Sequence, residues 1–267
     1  MSALGHKRTS RCIRRVSALP PKADIQEHGR NVRFVPKAGF NTIPFPLTRW
    51  CHMREGKHNS LMPPLLDFWF DFASTYSYPA AMQIAPLARQ SGVLVRFRPF
   101  LLGPLFKAQG WPTSPFNLYP AKGRYMWRDL ERICFDLDLP FRQPEPFPQN
   151  GLLAARVALI GLSGSWGEEF CRGVFRAEFG EGRQIDDATI ISNILSQLRI
   201  ESASVLEAAR AETNKVALRT QTEEAKQLGI FGAPTFTTTD GELFWGNDRL
   251  ERAIAWARTG VDLIATD

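Results

Sequence analysis

The sequence predicts an α/β fold in which a β-α-β unit and a β-β-α unit are separated by a long helical block. Three observations predict it. Two apolar runs of strand type flank an amphipathic stretch between residues 65 and 102. Segments with helical periodicity then follow one another as far as residue 228. Two short apolar runs joined by a glycine turn come next, before a last helical pattern.

The first unit begins with the aromatic-rich run from Leu65 to Phe72, which is typical of a buried strand. Apolar residues then recur at helical spacing from Ala80 until Gly92, which predicts the end of a helix. Residues 93 to 102 form the second predicted strand. A right-handed crossover through a helix makes the two strands parallel.

The middle of the chain is predominantly helical. Its predicted helices cover Lys122 to Leu139, Gly151 to Leu162, Trp166 to Phe179, Asp186 to Leu198, Ser202 to Ala211 and Thr213 to Leu228. Strands follow at Thr235 to Thr239 and Leu243 to Trp245, joined by a tight turn at Asp240-Gly241. A final helix is expected from Asn247 to about Gly260.

Residues 1 to 61 differ from the rest of the chain in charge and pattern. They hold 12 Lys/Arg against 3 Asp/Glu, which leaves 21 basic and 24 acidic of the chain's 33 and 27 for the remainder. With several prolines and no sustained period, they predict a disordered basic extension. Met62 looks like a natural beginning, so the extension is also consistent with a misassigned start. Its basic composition leaves a transit peptide and a basic arm as further alternatives.

The composition of the body narrows its chemistry. All four histidines lie before Leu61, so a histidine base, a Ser-His-Asp triad and imidazole metal ligands are excluded from the body. The four cysteines form no C-x-x-C pair. We therefore expect no metal site, and the mildly acidic body argues against nucleic-acid binding. No apolar run is long enough to cross a membrane, so the default expectation is a cytoplasmic protein.

Two distant segments carry the motif that points to function. Ser74-Thr75-Tyr76-Ser77 follows the first strand, and Gly232-Ala233-Pro234-Thr235 precedes the third. In thioredoxin-like proteins a C-x-x-C pair and a cis-proline occupy these places, and here serines replace both cysteines. The body resembles the 2-hydroxychromene-2-carboxylate isomerases and kappa-class glutathione transferases. The further matches are Asp71-Phe72, Lys122-Gly123-x-Tyr125 with Asp129 and Arg132, and Trp245-Gly246-Asn247-Asp248-Arg249-Leu250.

This resemblance implies a thioredoxin-like domain with an inserted all-helical domain, the DsbA-like arrangement. The boundaries would be residues 62–105 and 229–262 for the thioredoxin-like part and 106–228 for the insertion. It also implies a glutathione site. Ser74 would be the catalytic residue that stabilises the thiolate, and Ala233 beside a cis Pro234 would pair with the cysteinyl backbone of glutathione.

The remaining glutathione contacts implied by the resemblance are Asn247 and Asp248 at the γ-glutamyl end and Lys122 near the glycyl carboxylate. Each has a structural alternative. Ser74 could cap a helix, as could Asn247 and Asp248, and Lys122 could be a solvated helix residue. Relatives often carry Gly-Asn where this chain has Gly110-Trp111, so the resemblance leaves open whether Trp111 replaces one usual glutathione contact.

The function implied is a glutathione-dependent cis-trans isomerase acting on an aromatic pyruvate or chromene carboxylate, a small-molecule substrate. A kappa-type transferase or peroxidase and a non-catalytic glutathione-binding protein remain alternatives. The aromatic residues of the insertion, among them Trp111, Phe116 and Trp127, could line a substrate pocket or belong to the core. The resemblance also leaves a homodimer among the options.

Overall fold

A computed structural model of the chain describes residues 63–259. The predicted extension at residues 1–61, and the proposed start at Met62, lie outside the described residues. None of the described helices is both long and apolar enough to cross a membrane.

The sheet has four strands in the order β2-β1-β3-β4. They are β1 (Leu65–Phe70), β2 (Leu94–Pro99), β3 (Thr235–Thr238) and β4 (Leu243–Trp245). The strands β1 and β2 pair in parallel, as the sequence predicted, whereas β3 pairs antiparallel with both β1 and β4. The central strand β1 therefore ends beside the beginning of β3, and the two segments of the predicted site meet there.

Helices occupy most of the rest of the described chain. They are α1 (Ser77–Gln90), α2 (Leu102–Ala108), α3 (Pro115–Leu118), α4 (Pro120–Asp136), α5 (Leu152–Leu162), α6 (Gly167–Phe175), α7 (Ala188–Gln197), α8 (Ser202–Arg210), α9 (Glu212–Gln227) and α10 (Leu250–Thr259). A π-helical turn, Arg176–Gly180, extends α6, and a 3-10 turn, Asn247–Arg249, precedes α10.

Two of these helices were not predicted, and their sequences explain why. The helix α2 reads LGPLFKA, with a glycine and a proline that favour a loop prediction. Both residues lie in its first turn, where proline loses no helical hydrogen bond. The helix α3 is a single turn. Its cap residue is Ser114, whose hydroxyl accepts a hydrogen bond from the Phe116 N–H at 3.3 Å.

Aromatic side chains hold the sheet and the inserted helices in one core. Phe70 and Phe72, at the end of β1, place their rings 5.7 and 5.0 Å from that of Phe175 in α6. The buried cluster continues through residues of α5, α7 and α9 without a break. On the other face of the sheet, Trp69 packs with Phe100 and Ala225. The end of β1 is thereby fixed from both sides.

Candidate active site

Ser74 lies in the loop between β1 and α1. Its backbone N–H donates to the Asp71 carbonyl at 3.0 Å, and its hydroxyl donates to the Ala233 carbonyl at 2.9 Å. Only 7% of the residue is exposed. Helix α1 begins at Ser77, and the cap residue before it, Tyr76, makes no side-chain hydrogen bond to the first turn of the helix. The structure thus contradicts the alternative in which Ser74 caps this helix, because the hydroxyl is turned across the site to the β3 side.

Unpaired backbone donors surround the serine. The N–H groups of Ser77 and Tyr78 bond back to the carbonyls of Ser74 and Thr75. The N–H groups of Thr75 and Tyr76 find no acceptor within residues 63–259. Together with the N-terminal end of the 14-residue α1, they create a region that favours an anion.

The opposite wall of the site is the turn before β3. The Ala233-Pro234 peptide bond is cis, as the resemblance implied. The Thr235 hydroxyl donates to the Gly232 carbonyl at 2.9 Å and fixes the turn. A side chain at Gly232 would place its Cβ 2.5 Å from Nε1 of Trp245, so any larger residue there would have to displace the indole ring. In the described part of the chain the Ala233 N–H has no acceptor, which leaves it available to a ligand backbone.

A buried carboxylate, that of Asp71, supports the serine loop. It accepts hydrogen bonds from the backbone N–H of Ala73 at 2.9 Å and from that of Leu102 at 2.6 Å. Burial raises the pKa of Asp71, while these two hydrogen bonds oppose the rise. Asp71 therefore connects the loop at Ser74 to the first turn of α2. The motif contained this residue, but nothing in its spacing revealed the connection to α2.

A second buried carboxyl, Glu178, lies in the π-helical turn. It is fully buried, and neither of its oxygens has a hydrogen-bond partner among the described residues. Burial, and secondarily the charge of Asp71, raise the pKa of Glu178 well above its ordinary value. The sequence offered one signal for it, since Glu178 follows Val174 and Phe175 on the apolar face of α6 at helical spacing.

Asn247 and Asp248 lie in the 3-10 turn that follows β4, rather than in the helix predicted to begin there. Asn247 does not cap a helix, because its side-chain oxygen accepts no hydrogen bond from a described residue. The Asn247 Oδ1 is buried without a partner in the described region. Asp248 pairs with Arg249 at 3.4 Å, and its side chain is 72% exposed. The turn contacts α1, the helix that follows the serine loop. The charge of Asp248 also contributes to the raised pKa of Tyr76.

The helix α4 forms the outer side of the site. Asp129 accepts a hydrogen bond from the Tyr76 hydroxyl at 2.9 Å. Lys122 lies two turns earlier on the same helix and places its ammonium 4.9 Å from the centre of the Tyr119 ring. Lys122 is exposed, and no described contact joins it to Ser74. Of the six predicted site residues, the structure directly joins only Ser74 with the Ala233-Pro234 turn.

The aromatic residues of the insertion divide between site and core. The Phe116 ring lies 6.4 Å from that of Tyr76, at the site. Trp127 instead packs with Phe147 at 4.7 Å and belongs to the edge of the core. Trp111 packs on Phe106 of α2 at 5.8 Å.

Neither a redox pair nor a metal site is found in residues 63–259. Cys134 and Cys171 are free and buried. Burial raises the pKa of the Cys134 thiol to about 11 and also raises that of Cys171, so both are poor nucleophiles. No group of three or more potential metal-ligating side chains occurs in the same region.

The fold and the serine site define a thioredoxin-fold protein that lacks the redox cysteine pair. Residues 65–253 match the family model described as DSBA-like thioredoxin domain, and the chain belongs to that family. It is 29% identical over 191 residues to a 2-hydroxychromene-2-carboxylate isomerase of Sphingobium xenophagum, covering 71% of this chain and 96% of that protein.

Further relatives agree with this assignment. Identity is 26% over 204 residues to the glutathione S-transferase kappa 2 of Caenorhabditis elegans, covering 70% of this chain and 88% of that one. A solved 2-hydroxychromene-2-carboxylate isomerase superposes with a TM-score of 0.64 at 25% identity, over 70% of this chain and 90% of the other. The predicted family and fold class are thus confirmed.

Proposed function

We propose that the protein is a glutathione-dependent cis-trans isomerase that acts on an aromatic 2-oxo acid of the chromene-carboxylate type. The names of the relatives support both the cofactor and the reaction class. The observation that carries the proposal is the hydrogen bond from Ser74 to Ala233, because it places a hydroxyl donor against the cis-proline turn. A serine at this position cannot form a disulfide, so thiol-disulfide exchange is disfavoured.

The unpaired groups around Ser74 fit glutathione. The free N–H of Ala233 can pair with a peptide backbone, as an added strand would. The orphaned Oδ1 of Asn247 and the exposed carboxylate of Asp248 can accept from an ammonium group. Lys122 is proposed for the glycyl carboxylate. We also propose the domain boundaries given above, with the insertion at residues 106–228.

Bound glutathione would supply a thiolate that adds to the conjugated double bond of the substrate, allows rotation about the resulting single bond and leaves again. The protein's part is to favour the thiolate over the thiol. The Ser74 hydroxyl would turn from the Ala233 carbonyl to the sulfur, and the N–H groups of Thr75 and Tyr76 would add to the positive end of α1. A free thiol has a pKa of about 8.5, so such surroundings raise the reactive fraction at neutral pH.

Ser74→Ala tests this role. A hydrogen bond to a charged group contributes about 1.5–3 kcal/mol, whereas the neutral bond given up at Ala233 contributes about 0.5–1.5 kcal/mol. A net loss of about 1–2 kcal/mol corresponds to a rate lower by roughly 5- to 30-fold and to a bound-thiol pKa higher by about one unit. Ultraviolet titration of the bound thiolate measures the pKa without knowledge of the substrate.

Ser77→Ala is the matched control. Ser77 is fully buried, and its hydroxyl has no partner within the described residues, so its removal should change neither the titration nor the rate. An unmoved titration in Ser74→Ala would refute the role of Ser74. The reaction class is tested separately by counting free thiol during turnover of a chromene carboxylate. Constant thiol supports isomerisation, and consumption of thiol indicates a kappa-type transferase instead.

A further inference from the structure

The hydrogen bond between Tyr76 and Asp129 joins two parts of the molecule at the site. The Tyr76 hydroxyl donates to Oδ2 of Asp129 at 2.9 Å, and the two residues are 53 positions apart in the chain. Both side chains are only partly buried. A ligand can therefore reach the pair, and Phe116 provides an aromatic face 6.4 Å from the tyrosine ring.

Tyr76 belongs to the same loop as Ser74, the residue proposed to face the sulfur of glutathione. It follows Ser74 by two residues, so their Cα atoms are separated by at most about 7 Å. Burial, then the hydrogen bond and charge of Asp129, and further Tyr125 and Asp248, raise the pKa of Tyr76. The free phenol therefore stays protonated at neutral pH. The Tyr76 hydroxyl donates its only proton in the hydrogen bond to Asp129. The Tyr76 oxygen can therefore only accept a hydrogen bond from a further hydroxyl.

The geometry points to Tyr76 as a catalytic residue that opens and closes the ring of a cyclic hemiketal substrate by proton transfer. Asp129 acts through Tyr76, with which it exchanges a proton, so the two residues form a proton relay. This inference rests on the proposed function. The hemiketal carbon of a 2-hydroxychromene-2-carboxylate carries a hydroxyl and the ring oxygen. One relay beside that carbon can serve both oxygens.

The proton balance of the ring opening is closed. Tyr76 accepts the proton of the hemiketal hydroxyl while its own proton passes to Asp129. The bond between the hemiketal carbon and the ring oxygen breaks, its electron pair stays on the ring oxygen, and the carbon becomes a ketone. Tyr76 then gives a proton to the phenolate and regains one from Asp129. No proton or electron is gained or lost overall, and ring closure is the reverse.

The pair of Tyr76 and Asp129 is important because the body of the protein has no histidine to carry protons. Residues 62–267 contain no histidine, so the usual proton carrier at neutral pH is missing from the sequence of the body. Near Ser74, a neutral phenol hydrogen-bonded to a carboxylate provides the same pairing of donor and acceptor.

Tyr76→Phe, Asp129→Asn and their double variant test the relay in the full-length protein, with Tyr125→Phe as the matched control. Tyr125 lies one turn before Asp129 on the exposed side of α4, and its hydroxyl forms no hydrogen bond within residues 63–259. For Tyr76→Phe and Asp129→Asn we expect kcat to fall by roughly 10²-fold, the lower end for general acid-base catalysis. The double variant should be no slower than either. Tyr125→Phe should stay within twofold.

Two readouts separate chemistry from structure. Added imidazole should restore part of kcat in Tyr76→Phe, because a small base can replace the relay but cannot repair packing. The KM for glutathione should be unchanged in Asp129→Asn. A raised KM for glutathione with normal kcat would mean that Asp129 binds glutathione instead, and would overturn the inference. Variants that keep kcat within about threefold would overturn it as well. A wild-type protein that does not isomerise the substrate refutes the proposed function itself, before any variant is compared.

Discussion

Replacing Glu178 by glutamine is expected to stabilise the protein progressively as pH rises. Glu178 is fully buried, its oxygens have no partner in the described structure, and the neighbouring charge of Asp71 adds to the effect of burial. Its folded-state pKa lies well above the ordinary value of about 4.3, so the folded protein holds this proton more tightly than the unfolded chain does.

The sign and size of the effect follow from proton linkage. The stabilising contribution of the protonated carboxyl is fully present below about pH 4.3, and it is lost as pH rises toward the folded-state pKa. Over that interval the loss approaches about 1.4 kcal/mol per pH unit, since the unfolded chain binds almost one proton fewer. Glutamine has nearly the same shape and does not titrate. The stability of Glu178→Gln relative to wild type should therefore increase between pH 5 and pH 6, by at most about 1.4 kcal/mol.

Urea unfolding at pH 5, 6, 7 and 8 measures this difference, provided that both proteins refold and share one m-value. Glu178→Leu is a useful second variant, because an apolar side chain removes the unpaired oxygens as well as the charge. It should be at least as stable as Glu178→Gln near neutral pH. A difference between wild type and Glu178→Gln that is the same at all four pH values would refute the reasoning, because it would mean that the carboxyl keeps its ordinary pKa in the folded protein.

Three further predictions follow from packing, sequence and cysteine burial. Gly167→Ala should lower the free energy of unfolding by about 1–3 kcal/mol in urea titrations, because the added Cβ would overlap the backbone of Gly161 and Leu162. The control is Gly103→Ala, whose added Cβ would have no atom within 4 Å, so this variant should be neutral or slightly stabilising. A shortened chain that begins at Met62 should keep the melting temperature and the activity of the full chain, and a large drop would show that residues 1–61 stabilise the body. Chelators should leave turnover unchanged, and so should mild alkylation of the protein when the reagent is removed before glutathione is added, because the described structure has no metal-ligating cluster and buries Cys134 and Cys171. Activity lost to a chelator and restored by zinc would contradict this.

The sequence was sufficient for the elements with strong local signals. The strand from Leu65 stood out by its aromatic run, and Gly92 has a φ of +67°, as expected of a residue that follows a helix end. Gly241, with a φ of +89°, lies in the predicted turn between β3 and β4. In each case the element is marked by a residue type that is uncommon in other conformations.

Long-range polar contacts could not be predicted, because no periodicity encodes them. The Ser74 hydroxyl was expected at a helix end, but its acceptor is a carbonyl 159 residues away. Asp71 binds the N–H of Leu102, and Tyr76 binds Asp129, through tertiary packing alone. The family motifs identified these residues as candidates, whereas their hydrogen-bond partners can be seen only in the folded structure.

The helix α2 and the π-helical turn could not be predicted from local sequence either. The glycine and proline of α2 would end a helix if they lay in its middle, and the sequence does not show that they lie in its first turn. The π-helical turn at Arg176–Gly180 was likewise predicted as ordinary helix, because its side-chain pattern continues that of α6.

The order of strands in the sheet also has a consequence for synthesis of the chain. The central strand β1 is made early, but its neighbour β3 begins only at Thr235. A ribosome that adds 5–20 residues per second needs roughly 8 to 30 s to cover the 159 positions between Ser74 and Ala233. During that time one edge of β1 has no partner, although its side chains are among the most apolar of the body. A nascent chain that pauses within the helical block therefore exposes the unpaired edge of an apolar strand, the kind of edge at which aggregation begins.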